Sequence, residues 1–195
     1  MALDRHLSAL TIIMAKCMST CNRKKSSVFV SAIEIEKAID SMADAICNDY
    51  KNKKLVLIGV LKGSFIFLAD LVRKLDIDAE IDFIGLSSYG SDRVSSGTVT
   101  LYFEPRIEIM GRDVLLVEDI IDSGLSTTYA IGYLKSKGAK SVRLCSLLDK
   151  KSRRETEVTI DYSGFTAPDG FLVGYGLDCD EHYRNLNNII ILGEE

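Results

Sequence analysis

Three carboxylates and a run of small residues stand together in Val114-Leu115-Leu116-Val117-Glu118-Asp119-Ile120-Ile121-Asp122-Ser123-Gly124-Leu125-Ser126-Thr127. The apolar stretch before Glu118 has the β-branched, uninterrupted character of a strand buried on both faces. Glu118 and Asp119 therefore fall at a strand's end, and Asp122 stands just before a small-residue turn that opens a helix. Ser123 to Thr127 can present successive backbone N–H groups, with hydroxyls beside them, at the positive end of the helix dipole. That is a phosphate cradle made without lysine. Each piece has a plainer reading on its own: strand-end carboxylates in solvent, and Asp122 as a helix cap. Together, adjacent carboxylates that accept from sugar hydroxyls and recruit a cation, beside an anion cradle, suit a polyhydroxylated phosphate ester. The loop is not a Walker A motif, because Gly-Lys-Ser/Thr is missing, and Gly174-Tyr175-Gly176 lacks the third glycine of a dinucleotide fingerprint.

The elements that must position these groups can be read from periodicity. Ser31 and Glu34 have capping-box spacing, with Val30 stapled to Ile35, and Ile35, Ile39, Met42, Ile46 and Tyr50 form one apolar stripe. Lys54 to Val60 reads as a buried strand and Gly63 to Leu75 as a helix. Further strands are expected over Glu80 to Leu86, Asp113 to Glu118, Ser141 to Leu148 and Asn188 to Leu192, with a helix from Ser123 to Lys137 closed by Gly138. Strands alternating with helices imply right-handed βαβ units and a parallel sheet, whose ligands sit beyond the carboxyl ends of the strands. Ser87 to Ile109 breaks the pattern as a polar, Gly-marked loop of the kind that serves as a lid, and Thr98 to Phe103 alternates like an edge strand or hairpin arm.

Composition narrows the functional classes. The chain has 195 residues, a formal charge of -4 and 47% hydrophobic residues, which suits one soluble globular domain. It has no apolar run long enough to span a membrane and no broad basic surface for nucleic acid. Residues 1–25 carry about +4 of that total, leaving about -8 on the remainder. Leu3, Leu7, Leu10, Met14 and Met18 recur at helical spacing, so residues 1–27 read as a helical N-terminal extension to a domain spanning 28–195. A signal peptide is disfavoured by Asp4, Lys16 and the missing cleavage site. Five cysteines, without a C-x-x-C pair and with only two histidines, offer no zinc site and suit reduced thiols in the cytoplasm, Cys145 being a buried core thiol.

From about Val28 to Leu192 the chain resembles the hypoxanthine-guanine branch of the type I phosphoribosyltransferase family. The segment ending near Ser126 or Thr127 matches that family's phosphoribosyl pyrophosphate signature, and Val60-Leu61-Lys62-Gly63-Ser64, Leu147-Leu148-Asp149-Lys150, Pro168-Asp169-Gly170-Phe171-Leu172-Val173 and Glu181-His182-Tyr183-Arg184 match its other pieces. The resemblance implies an α/β fold: a central parallel twisted sheet flanked by helices, with a small purine-binding hood and a mobile loop. It implies transfer of the phosphoribosyl group from phosphoribosyl pyrophosphate to hypoxanthine or guanine, with Mg²⁺, in a homodimer or homotetramer that binds neither nucleic acid nor membrane. Asp122 would be the general base. Glu118 and Asp119 would hold ribose hydroxyls and, with Asp178, metal; Ser123, Gly124, Leu125, Ser126 and Thr127 would bind the 5-phosphate; Lys62, Gly63 and Arg184 would bind pyrophosphate. Lys150 would donate to the purine's 6-oxo group, Phe171 would stack on the base, Leu172 would offer backbone groups to its edge, and Ser88 and Tyr89 would belong to the mobile loop. A cis peptide is implied at Leu61-Lys62. Lys151, Arg153 and Arg154 read as a solvated basic cluster. The competing readings are a nucleotide sensor that keeps the fold without turnover, and a receiver-like signalling domain, disfavoured because no acidic pair follows the first strand.

Overall fold

A computed structural model describes residues 26–88 and 99–193 of the chain. The expected N-terminal helix and Tyr89 of the polar loop lie outside the described residues. The first elements are strand β1 (Ser27–Val30) and helix α1 (Ala32–Asp49). α1 starts where its cap dictates: the Ser31 hydroxyl accepts from the Glu34 N–H, while the Glu34 carboxylate accepts from the Ser31 N–H at 2.8 Å. Ile35, Ile39, Met42 and Ile46 form its buried stripe, and Val30, just before the cap, joins Ile35 in the same apolar cluster.

Strand β2 (Leu55–Leu61), helix α2 (Phe65–Lys74), strands β3 (Ala79–Ser88), β4 (Val99–Phe103) and β5 (Asp113–Ile121), helix α3 (Leu125–Ser136) and strands β6 (Ser141–Asp149) and β7 (Tyr162–Thr166) build the main sheet and its covering layers. Its order is β4-β3-β2-β5-β6-β7, parallel except for β4, which returns antiparallel to β3 as a hairpin arm. Alternation of side chains sorts the central strands between two cores. Leu55, Leu57, Leu115 and Val117 face the layer of α1 and α2. Val56, Ile58, Val114 and Leu116 face Ala130 and Leu134 of α3. Cys145 is fully buried, and burial pushes its thiol pKa up, as suits a core residue. A second sheet, β1-β9-β8, adds β8 (Phe171–Val173) and β9 (Ile189–Leu192), all antiparallel.

The architecture agrees with the expected parallel sheet, but the boundaries of β5 and α3 move and three further strands appear. β5 continues to Ile121, so Glu118 and Asp119 lie within the strand rather than at its end, because Glu118, Ile120 and Ile121 remain paired with Ser146, Leu148 and Asp149 of β6. α3 begins at Leu125 rather than Ser123, with Gly124 at φ 84° as its cap residue, so Asp122 is not a helix cap. β1, β7 and β8 were not expected at all. Each has five residues or fewer, and each is placed by a distant partner, β1 and β8 by β9 and β7 by β6.

Candidate active site

β2 and β5 are neighbours, yet the chain leaves β2 toward β3 on one side and leaves β5 toward β6 on the other. Their ladder ends at Gly59 and Val117 while both strands run on. Such a switch point opens a crevice at the strands' carboxyl ends, and a cleft of about 340 Å³ lies there, lined by Val60, Leu61, Gly63, Glu118, Asp119, Asp122 and Ser123 to Thr127. The sequence-predicted carboxylates and phosphate loop are thus brought together on one cavity wall.

The phosphate loop is held from behind. The Ser123 carbonyl accepts from the Glu155 N–H at 2.9 Å and the Thr156 N–H at 3.0 Å, and a Cβ on Gly124 would stand 2.7 Å from the Thr156 carbonyl oxygen. The Ser123 hydroxyl accepts from the Leu125 N–H at 3.3 Å. The first-turn amides of α3 have no acceptor within the helix and supply the donors of an anion site.

Glu118 is buried at 5% exposure and accepts from the Thr127 hydroxyl at 3.3 Å. Burial, reinforced by the neighbouring Asp119 charge, raises its pKa well above the carboxylate range. Asp119 is pushed up to about 6 by burial and by Asp178, against the opposing pull of backbone amides and Arg184. Gly63 is required here by close approach: a Cβ would fall 1.8 Å from Asp119 Oδ2. Asp122 has one carboxylate oxygen buried without a hydrogen-bond partner among the described residues, while Oδ2 stands 3.5 Å from Arg153 Nη1.

Lys62, Asp178 and Arg184 do not line that cleft but form an ion-pair group beside it. A Cβ on Gly176 would meet the Gly63 carbonyl oxygen at 2.1 Å, so the turn after β2, with its cis Leu61-Lys62 peptide, lies directly against the loop that leads to Asp178. Arg184 pairs with Asp178 Oδ1 at 2.8 Å and donates to the Gly176 carbonyl at 2.7 Å. Lys62 pairs with Glu181 at 2.8 Å.

Lys150, Phe171 and Leu172 form a third group. The Lys150 N–H donates to the Ile121 carbonyl at 3.0 Å, which seats it beside Asp122. Its side chain is buried, and Nζ donates to the Gly170 carbonyl at 2.9 Å. Phe171 is exposed at 53%, whereas the Leu172 side chain is buried. β8 is an edge strand paired only with β9 among the described strands, so one side of its backbone is left unladdered. Ser88 ends β3; its side chain, like Tyr89, lies outside the described residues.

Arg154 corrects the sequence expectation. It is not solvated: its side chain is 15% exposed and pairs with Asp149, itself 12% exposed. Its guanidinium also donates to the Asp122 carbonyl at 3.0 Å and the Ile121 carbonyl at 3.2 Å. It ties the end of β6 to the start of the phosphate loop.

A βαβ sheet with a carboxylate-flanked phosphate loop at its switch point, capped by a small antiparallel sheet, is the type I phosphoribosyltransferase fold. A profile of the phosphoribosyl transferase domain matches residues 30–180, and the chain belongs to that family. It is 42% identical over 165 residues to the hypoxanthine-guanine phosphoribosyltransferase of Bacillus subtilis (strain 168), covering 85% of this chain and 92% of that one. The enzyme of the same name from Aquifex aeolicus (strain VF5) is 40% identical over 176 residues, covering 90% and 99%. Among solved structures, a hypoxanthine phosphoribosyltransferase from Staphylococcus aureus superposes with a TM-score of 0.83 at 34% identity, covering 93% of this chain and 95% of that one.

Proposed function

We propose that the protein transfers the 5-phosphoribosyl group from phosphoribosyl pyrophosphate to hypoxanthine and guanine, releasing pyrophosphate and giving the nucleoside monophosphates of purine salvage. The observation that carries this reading is the convergence, at one strand-end crevice, of a helix-N-terminal phosphate loop, two strand carboxylates and Asp122 with an unfilled acceptor oxygen. The amides and hydroxyls of Ser123 to Thr127 hold the 5-phosphate, and Glu118 and Asp119 accept from the ribose hydroxyls. The Asp122 carboxylate takes the proton from the purine's imidazole edge as the glycosidic nitrogen attacks the anomeric carbon. Lys150 has three N–H donors and uses one on Gly170, leaving donors for a 6-oxo group. Adenine would set an amino group against that ammonium. Phe171 stacks on the base, and the open edge at Leu172 receives its pyrimidine side. Lys62, Gly63 and Arg184 take the pyrophosphate, so positive charge gathers where the leaving group develops negative charge.

Among the described residues no three His, Cys, Asp or Glu side chains converge as a metal cage. The donor set fits an ion of another kind: Mg²⁺ usually binds through one or two carboxylates plus substrate oxygens and water. Glu118 and Asp119 would hold one such ion and Asp178 a second, and the two would neutralise charge on the diphosphate. Residues 28–195 are taken as the catalytic domain, with residues 1–27 as an extension and Ser88-Tyr89 in a closing loop. The assembly is taken as a cytoplasmic homodimer or homotetramer; a Trypanosoma cruzi relative, 37% identical with a TM-score of 0.80, has been studied for the role of its C-terminal region in oligomeric state and activity. The test is an absorbance assay with phosphoribosyl pyrophosphate, Mg²⁺ and each of hypoxanthine, guanine, xanthine and adenine. Turnover with hypoxanthine and guanine but not adenine is expected; folded protein inactive with all four refutes the reading.

A further inference from the structure

Glu181 plays no part in the chemistry above, yet it sits on both cations assigned to the leaving group. One carboxylate oxygen accepts from Lys62 Nζ at 2.8 Å and the other from Arg184 Nη2 at 3.3 Å. We infer that Glu181 is a displaceable counter-anion of the pyrophosphate subsite: without substrate it holds Lys62 and Arg184, and a diphosphate must take both from it. The inference rests on the assignment of those two cations to pyrophosphate.

The local backbone explains why this carboxylate, and not a neighbour, fills the place. Asp180, Glu181 and Tyr183 all have positive φ, at 52°, 64° and 76°, conformations that non-glycine residues adopt only when their surroundings impose them. Here the surroundings are a tight turn: Cys179 and His182 exchange both backbone hydrogen bonds, and the Glu181 N–H donates to Asp178 Oδ2 at 2.9 Å. The turn aims Glu181 across to the loop after β2, 119 residues earlier in the chain.

The contact is also built to be exchanged. Glu181 is 62% exposed and Lys62 58%, and ion pairs so exposed to water are weak. Arg184 is 19% exposed and is independently fixed by Asp178 and the Gly176 carbonyl, so it stays in place when Glu181 swings out. A diphosphate brings more charge and more acceptors than one carboxylate. The apparent affinity for any diphosphate ligand is therefore reduced by the fraction of molecules in which Glu181 holds the site, which limits retention of the pyrophosphate product.

Titration calorimetry with inorganic pyrophosphate, on wild type and on Glu181→Gln, reads this directly and does not need turnover. Glu181→Gln is expected to bind pyrophosphate about three- to tenfold more tightly, the range set by losing two weak pairs made through one exposed carboxylate, and to lower the KM for phosphoribosyl pyrophosphate without raising kcat. A damaged fold cannot tighten binding. Asp180→Asn removes the same charge from the adjacent exposed residue and serves as the field control; in a Lys62→Gln background the gain should shrink. Unchanged or weaker pyrophosphate binding in Glu181→Gln, an equal gain in Asp180→Asn, or no binding by either protein overturns the inference. A wild type that binds pyrophosphate but turns over no purine overturns the transferase reading alone.

Discussion

Replacing Arg154 by Met should destabilise the protein more than its place in the basic run Lys150 to Arg154 suggests. The substitution keeps the apolar stem and removes the guanidinium, leaving the Asp149 carboxylate and the Ile121 and Asp122 carbonyls without that donor. Breaking one side of a buried ion pair costs about 3–5 kcal/mol. The side chains of Arg154 and Asp149 are 15% and 12% exposed, and Lys151 Nζ stands 3.7 Å from Asp149 Oδ2 as a partial substitute, so about 2–3 kcal/mol is expected after that discount. For a domain of this size that is a fall in Tm of about 5–10 °C. Arg154→Lys keeps the charge but not the fork, and should lose about 1–2 kcal/mol. Urea unfolding of Arg154→Met, Asp149→Asn and the double variant gives the coupling, expected near 2 kcal/mol because the two groups are in contact. Since the guanidinium fixes the carbonyls that begin the phosphate loop, the KM for phosphoribosyl pyrophosphate should rise as well. An Arg154→Met protein within about 0.5 kcal/mol of wild type, the range of an ordinary surface change, would refute the claim that this arginine is a buried tie.

Asp122→Asn keeps the shape and removes the base, so kcat should fall about 10²- to 10⁴-fold with little change in either KM; steady-state kinetics showing unchanged turnover would remove Asp122 from that role. Lys150→Met should reduce kcat/KM for hypoxanthine about 10- to 100-fold, the value of a charge-assisted hydrogen bond, and narrow the gap to adenine; the ratio of the two constants is the measurement, and an unaltered ratio counts against the assignment. Asp119 has its folded-state pKa raised to about 6, above the roughly 3.9 of an unfolded chain. The folded protein therefore holds a proton that the unfolded chain has already released, and the stability this gives is lost as pH rises through about 4 to 6. Asp119→Asn should gain on wild type over that window in urea midpoints, and a constant difference between the two profiles would contradict the burial argument.

What the sequence disclosed was local. The Ser31–Glu34 capping box, the α1 stripe and the two-faced burial of the apolar runs in β2 and β5 all follow from residues within one element, and the structure contains them. The extent of β5 was not legible, because what carries it past Glu118 is pairing with β6 after β2 has diverged. The burial of Arg154 is hidden from the sequence for a similar reason. Its partner Asp149 is five residues away in sequence, a separation that matches no helix or strand face, so only the path of the chain after β6 brings the two together. Glu181 lies 119 residues from Lys62, and the positive-φ turn that aims it involves no glycine or proline that would have marked it.

The overall acidity is compatible with how the crevice handles charge. Lys62 faces Glu181, Arg184 faces Asp178 and Glu181, Arg153 faces Asp122, and Arg154 faces Asp149. The cations are thus neutralised in place, and the 5-phosphate site proposed above would rest on uncharged amides at the start of α3. A site built this way binds anions by exchange and by dipoles rather than by an excess positive field, so a chain of formal charge -4 needs no basic surface to receive a multiply phosphorylated sugar. Under the proposed function the same arrangement would separate the two kinds of affinity: the amide loop would fix the phosphate that stays with the product nucleotide, while the exchangeable pairs would hold the phosphates that must leave.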